Sequence, residues 1–187
     1  MTYGMSTCPD AIQVHGSSVL GGGKIDRARL RRVLELVRDR SGWGTRKGQG
    51  VACNIYDGET YVAYVAEVSV RRGQWHVDRV VSAVDCGLVI NPAGVEQQME
   101  GGIVWALGQM MGEITIRDGE VEQRSYSDYA VPRLSDTPKI EVHIVPSDVP
   151  QPMGMGEPPV PPFVPAALNA IFSLTGTRIR RLPVKLN

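Results

Sequence analysis

The sequence predicts an α+β fold in which a mostly antiparallel sheet carries packed helices. Three observations support that class. From Thr60 to Val70 the even positions Val62, Tyr64, Ala66, Val68 and Val70 are apolar, and apolar residues again dominate from Trp75 to Val84, with Arg72-Gly73 between the runs. Two strands joined by a tight turn account for this pattern. Between Asn91 and Met111, by contrast, Val95, Met99, Ile103, Ala106, Leu107 and Met110 recur at the helical period. Ile140, Val142 and Ile144 then return to strand alternation.

Taken in order, Met1–Lys24 has little periodicity and ends in Gly21-Gly22-Gly23, so it is expected to be a peripheral arm. Asp26 can cap a helix of about 15 residues, with Leu30, Val33, Leu34 and Val37 on one face. Arg27, Arg29, Arg31 and Arg32 are expected on its solvated side. In the first strand the odd positions Tyr61, Ala63 and Val65 are apolar too, which predicts a hairpin covered on both faces. The next helix starts well, because Asn91 is a good N-cap and Pro92 falls at a first-turn position whose N–H has no helical acceptor. Asp118-Gly119 predicts a second hairpin between Glu113–Arg117 and Glu120–Arg124, and Ser125–Pro138 reads as irregular. Pro165 can open a last helix through Ala166, Leu168, Ile171, Phe172 and Leu174, stopped by Gly176, and Arg178–Val184 reads as a final short strand.

Composition narrows the function. The 20 basic and 20 acidic residues cancel, so overall charge points to neither nucleic acid nor an anionic membrane. Cys8, Cys53 and Cys86 are far apart, as are His15, His76 and His143. Neither set has the spacing of a disulfide framework, an iron–sulfur site or a protein-ligated metal, and the cysteines fit a reducing compartment. No apolar run reaches the roughly 20 residues of a membrane span. The chain is expected to be cytoplasmic, with a small molecule as its substrate.

Two stretches carry chemistry. On the helix after Asn91, Gly94, Gly101 and Gly108 recur at every seventh residue and share a side with Gln97, Gln98 and Trp105. Each interior glycine costs about 1 kcal/mol of helix stability relative to alanine, so something packs closely on that side: another element, or a ligand for which glutamine offers a donor and an acceptor. The second stretch is Gln151–Pro165, where Glu157 stands between Gly154/Gly156 and Pro158/Pro159. Glycine permits close approach or positive φ and proline fixes φ, so the carboxylate is stiffly presented, either on a surface loop or in a site.

These stretches resemble a known family. Val84-Asp85-Cys86-Gly87, Asn91-Pro92, Gln97-Gln98-Met99-Glu100-Gly101-Gly102 and Gly154-Met155-Gly156-Glu157-Pro158-Pro159 look like the C-terminal part of the molybdopterin-binding large subunit of the molybdenum hydroxylases. That is the xanthine oxidase/aldehyde oxidase family, and the isoquinoline 1-oxidoreductase type is most similar. The likeness is clearest over residues 41–182, within a domain of 25–187, and does not extend to 1–24. It implies a catalytic base at Glu157, buried in a low-dielectric pocket. It further implies cofactor contacts from Gln98, and with the helical-face argument from Gly94, Gly101, Gly102 and Gly156. The implied cofactor is molybdopterin cytosine dinucleotide with molybdenum, held by the pterin dithiolene and not by side chains. The implied activity is oxidation of an N-heterocycle or aldehyde with water as the oxygen source. Family large subunits are several times longer, so the remainder of a large subunit and a [2Fe–2S] subunit are the expected partners. The alternative expectation is a repurposed domain that keeps the fold and serves as a binding or structural module.

Overall fold

The computed structural model describes residues 25–186. The first helix, α1 (Arg27–Ser41), is capped by Asp26, whose carboxylate accepts from the N–H groups of Ala28 and Arg29. It ends at Gly42 in the left-handed region, φ +64°. Three strands follow: β1 (Gln49–Tyr56), β2 (Thr60–Arg71) and β3 (Gln74–Asp85). Next come α2 (Pro92–Met111), the short β4 (Ile116–Arg117) and β5 (Glu120–Val121), then β6 (Lys139–Ile144) and α3 (Val160–Thr175).

β1, β2, β3 and β6 form one sheet in that order. The first two pairings are antiparallel, and β3–β6 is parallel. The predicted α+β class and the two-sided burial of the central hairpin both hold. Tyr61 to Ala66 are all fully buried, and their alternation divides them between two cores. Tyr61, Ala63 and Val65 pack with Leu30, Val33 and Val37 of α1. Val62, Tyr64 and Ala66 face the larger core made with Met99, Ile103 and Leu107 of α2 and Phe163, Ala166 and Ile171 of α3. Each strand residue therefore belongs to a layer set by its parity.

Several expectations change. β1 escapes sequence reading because Gly50 and Asn54 interrupt its apolar pattern. The glycine has a reason: a Cβ on Gly50 would stand 2.1 Å from the Ala166 carbonyl oxygen, so α3 lies directly on the β1 backbone. Asn169 of α3 then donates to the Val51 carbonyl at 3.0 Å. α3 itself begins at Val160, five residues before Pro165. Pro161 and Pro162 fit there because first-turn N–H groups have no intrahelical acceptor, and the buried Phe163–Ala166–Ala167–Ala170–Ile171 face carries the helix past Pro165.

Arg178–Val184 is not a strand. The segment docks instead on the end of α2, where the Val184 N–H donates to the Met110 carbonyl at 2.8 Å. The Asp118-Gly119 hairpin forms with both residues at positive φ, but each strand is only two residues long. Arg29 is buried rather than solvated, because Asp85 ends β3 directly beneath it. The expectation for residues 1–24 lies outside the described residues. Among those described, no helix is long and apolar enough to cross a membrane.

Candidate active site

The Glu157 loop is tied down at its start by the end of β3. The Met153 N–H donates to the Cys86 carbonyl at 2.9 Å, and the Leu88 N–H donates to the Gln151 carbonyl at 3.0 Å. Gly87 and Pro152 form an antiparallel bridge. Gly87 has φ +70°, and a Cβ there would meet the Gln151 carbonyl oxygen at 2.2 Å, so no other residue fits this crossing.

Asp85 stabilises the same corner. Its carboxylate accepts a forked pair of bonds from Arg29, Nε at 3.0 Å and Nη2 at 2.7 Å, and a third from the Gly87 N–H at 3.3 Å. Burial works to raise the Asp85 pKa, but hydrogen bonds from Arg29, Ser147 and Gly87 outweigh it and hold the carboxyl below its ordinary value. Burial and the adjacent Asp85 charge push the Cys86 thiol up, so it remains protonated. The Val-Asp-Cys-Gly stretch is thus a brace for the loop.

Further along, β2 provides two hydroxyls on its α2/α3 face. Thr60 donates to the Gly154 carbonyl at 2.9 Å, and Tyr64 donates to the Pro159 carbonyl at 2.9 Å. Burial raises the Tyr64 phenol far above its ordinary value, which keeps it a proton donor. Sequence reading took Tyr64 only as core and gave Thr60 no role. Their spacing of four on one face of a strand, each a hydroxyl in an apolar run, is the signal that could have found them.

Between these ties the loop presents Glu157 in the turn that starts α3, its carbonyl accepting from the Val160 N–H at 2.9 Å. Pro158 and Pro159 are buried, whereas Glu157 is exposed. The expected buried base is therefore corrected: within this chain the carboxylate projects outward and makes no hydrogen bond or ion pair among the described residues. Gly154 and Gly156 do not take positive φ, and a Cβ on either would meet nothing within 4 Å. Of the two uses of glycine considered from sequence, open access to the backbone is the one that remains.

The glycines of α2 separate in the same way. Gly102 is filled from within the chain, since a Cβ there would stand 2.5 Å from Pro159 Cβ, and Gly108 lies against Pro132. Gly101 meets nothing within 4 Å, and Gly94 meets only the capping Asn91. Gln98 is exposed, one turn before Gly102, so the Gly102–Pro159 contact brings the turn carrying Glu157 to the part of α2 that presents Gln98.

Among the described residues no group of His, Cys, Asp or Glu could hold a metal. An open glycine and glutamine face on a helix that meets the held turn of an exposed carboxylate fits one wall for a bulky organic cofactor that carries its own metal ligands.

Comparison with known proteins agrees with that geometry. The molybdopterin cofactor-binding domain family matches residues 31–138. The chain is 34% identical over 164 residues to isoquinoline 1-oxidoreductase subunit beta of Brevundimonas diminuta, covering 82% of this chain and 21% of that protein. It is 33% identical over 177 residues to a protein of Gluconacetobacter polyoxogenes named membrane-bound aldehyde dehydrogenase [pyrroloquinoline-quinone], covering 89% and 22% respectively. The solved quinoline 2-oxidoreductase of Pseudomonas putida 86 superposes with a TM-score of 0.59 at 29% identity, over 67% of this chain and 17% of that one. The chain belongs to the molybdenum hydroxylase family, as a part of its molybdopterin-binding subunit. It spans about a fifth of the length of these relatives.

Proposed function

We propose that this chain is the C-terminal piece of a molybdenum-dependent hydroxylase, working with a separate chain that completes the pocket. The observation that carries this reading is the Glu157 turn: it is fixed on both sides, yet Glu157 is exposed, two residues before the Pro159 that packs on Gly102 of α2, and Gln98 and Gly101 of that helix are open. In this reading Gln98 donates to and accepts from the cofactor. Gly94, Gly101 and Gly156 let the cofactor approach the backbone, and Gly102 lets Pro159 seat the turn beside it. Bound molybdopterin would supply the redox-active centre for the substrate's C–H hydrogen and its two electrons as that bond breaks. Glu157 Oε accepts the proton released as a water-derived oxygen bonds to an electron-poor carbon of an aldehyde or N-heterocycle. The remaining large-subunit segments exclude water from the exposed Glu157 carboxylate.

The cytosine dinucleotide form of the cofactor, a [2Fe–2S] subunit that removes electrons and a cytoplasmic location belong to the same proposal. They are supported by the similarity to the isoquinoline 1-oxidoreductase subunit and by the separated cysteines. The relative named for pyrroloquinoline-quinone makes metal analysis the deciding test. The chain is purified alone and with a chain that supplies the remainder of a large subunit, and both preparations are assayed for molybdenum and for dye-linked oxidation of aldehydes and N-heterocycles. Molybdenum and turnover in the complex are expected. Molybdenum in neither preparation contradicts the proposal.

A further inference from the structure

We infer that Thr60 and Tyr64 are positioning residues that hold the Glu157 turn against the Gln98 side of α2. This rests on the role proposed for Glu157. The two hydroxyls lie on one face of β2 and bond the carbonyls of Gly154 and Pro159, which bracket Glu157. Tyr64 and Pro159 are both buried, so the Pro159 carbonyl cannot exchange its bond for one to bulk water when the Tyr64 hydroxyl is removed, while the Thr60 bond reaches the exposed Gly154 and is only partly buried. The Tyr64 oxygen also lies 4.0 Å from Sδ of Met99, the residue after Gln98. One phenol thus touches both α2 at Met99 and the first residue before α3. With Gly102 receiving Pro159 from the other side, the turn is held at three points while its carboxylate stays free. A base whose own side chain has no partner depends on its backbone for geometry, and that backbone depends on β2.

The test compares Tyr64→Phe, Thr60→Val and Thr60→Ser in the full chain by hydrogen–deuterium exchange. Tyr61→Phe serves as the control, because it removes a hydroxyl from the opposite face of the same strand. The readouts are the amides of Met153, which bonds the Cys86 carbonyl after β3, and Val160, which bonds the Glu157 carbonyl within the turn. Tyr64→Phe is expected to speed exchange at Val160 and Thr60→Val at Met153, each about tenfold, with the amides of β2 and β3 unchanged. Thr60→Ser restores protection, and Tyr61→Phe leaves both amides as they were. Unchanged exchange in Tyr64→Phe and Thr60→Val overturns the inference. In the assembled enzyme Tyr64→Phe is expected to lower kcat about tenfold or more, with KM and molybdenum content kept. A loosened turn with unchanged kcat also overturns it. Full activity in Glu157→Gln overturns the catalytic reading instead, and leaves the exchange result standing as a statement about the fold.

Discussion

Gly102 and Pro159 meet where the two helices beside the Glu157 loop converge, and a Cβ on Gly102 would stand 2.5 Å from Pro159 Cβ. That contact separates two glycines which are adjacent in sequence. Gly102→Ala must displace the turn, and overpacking of this kind costs about 1–3 kcal/mol. Gly101→Ala meets nothing within 4 Å and should stabilise the isolated chain by up to about 1 kcal/mol through helix propensity. Thermal unfolding of the two variants checks the opposite signs. In the assembled enzyme Gly101→Ala should lower molybdopterin retention, because the added methyl stands where the cofactor is proposed to approach.

The Arg29–Asp85 pair gives a second prediction. Both side chains are buried, at 6% and 0% exposure, and neutralising Asp85 leaves the Arg29 guanidinium without its carboxylate partner. Asp85→Asn should therefore cost about 3 kcal/mol or more, read as a lower urea midpoint at unchanged slope. Asp85 also holds the Gly87 N–H at the start of the Glu157 loop. The variant should consequently lose protection at Met153 before the rest of the sheet does.

Acid should weaken the fold in a defined window. Hydrogen bonds from Arg79 and then Lys139 pull the Glu141 pKa from 4.5 down to about 2. A folded-state pKa below the unfolded one means that this stabilisation is complete above about pH 4.5 and is lost as pH falls through about 2. Glu141→Gln should flatten that part of the stability–pH curve, measured by thermal unfolding at low salt. Added salt should shrink the effect in the parent chain, since Glu141 is about a quarter exposed.

Much of this architecture is legible in the sequence, and the failures have physical causes. The β2–β3 hairpin, α1 and α2 announce themselves because burial imposes a period on them. β1 does not, because Gly50 is there for α3 to touch and its own strand pattern is broken as a result. Pro165 suggests a later start for α3 because proline more often opens a helix than continues one, whereas the buried face from Phe163 to Ile171 decides. At the site, Glu157 and Gln98 stand out by their glycine and proline neighbours. Their exposure could not be read from those neighbours, because a stiff loop has the same composition whether or not another chain covers it. Thr60 and Tyr64 do not stand out because each satisfies a strand pattern on its own, and only the fold shows which carbonyls they reach.

The central claim is that Glu157 is the base. Glu157→Gln keeps the shape of an exposed side chain that makes no hydrogen bond or ion pair among the described residues, so the variant should fold and assemble like the parent. The decisive measurement is substrate-dependent dye reduction by the Glu157→Gln enzyme, purified with the chains that complete it and normalised to its molybdenum content. The account predicts parental molybdenum content with a rate lower by at least about a hundredfold, the scale of a lost general base. A rate within a few-fold of the parent at equal molybdenum content would contradict it.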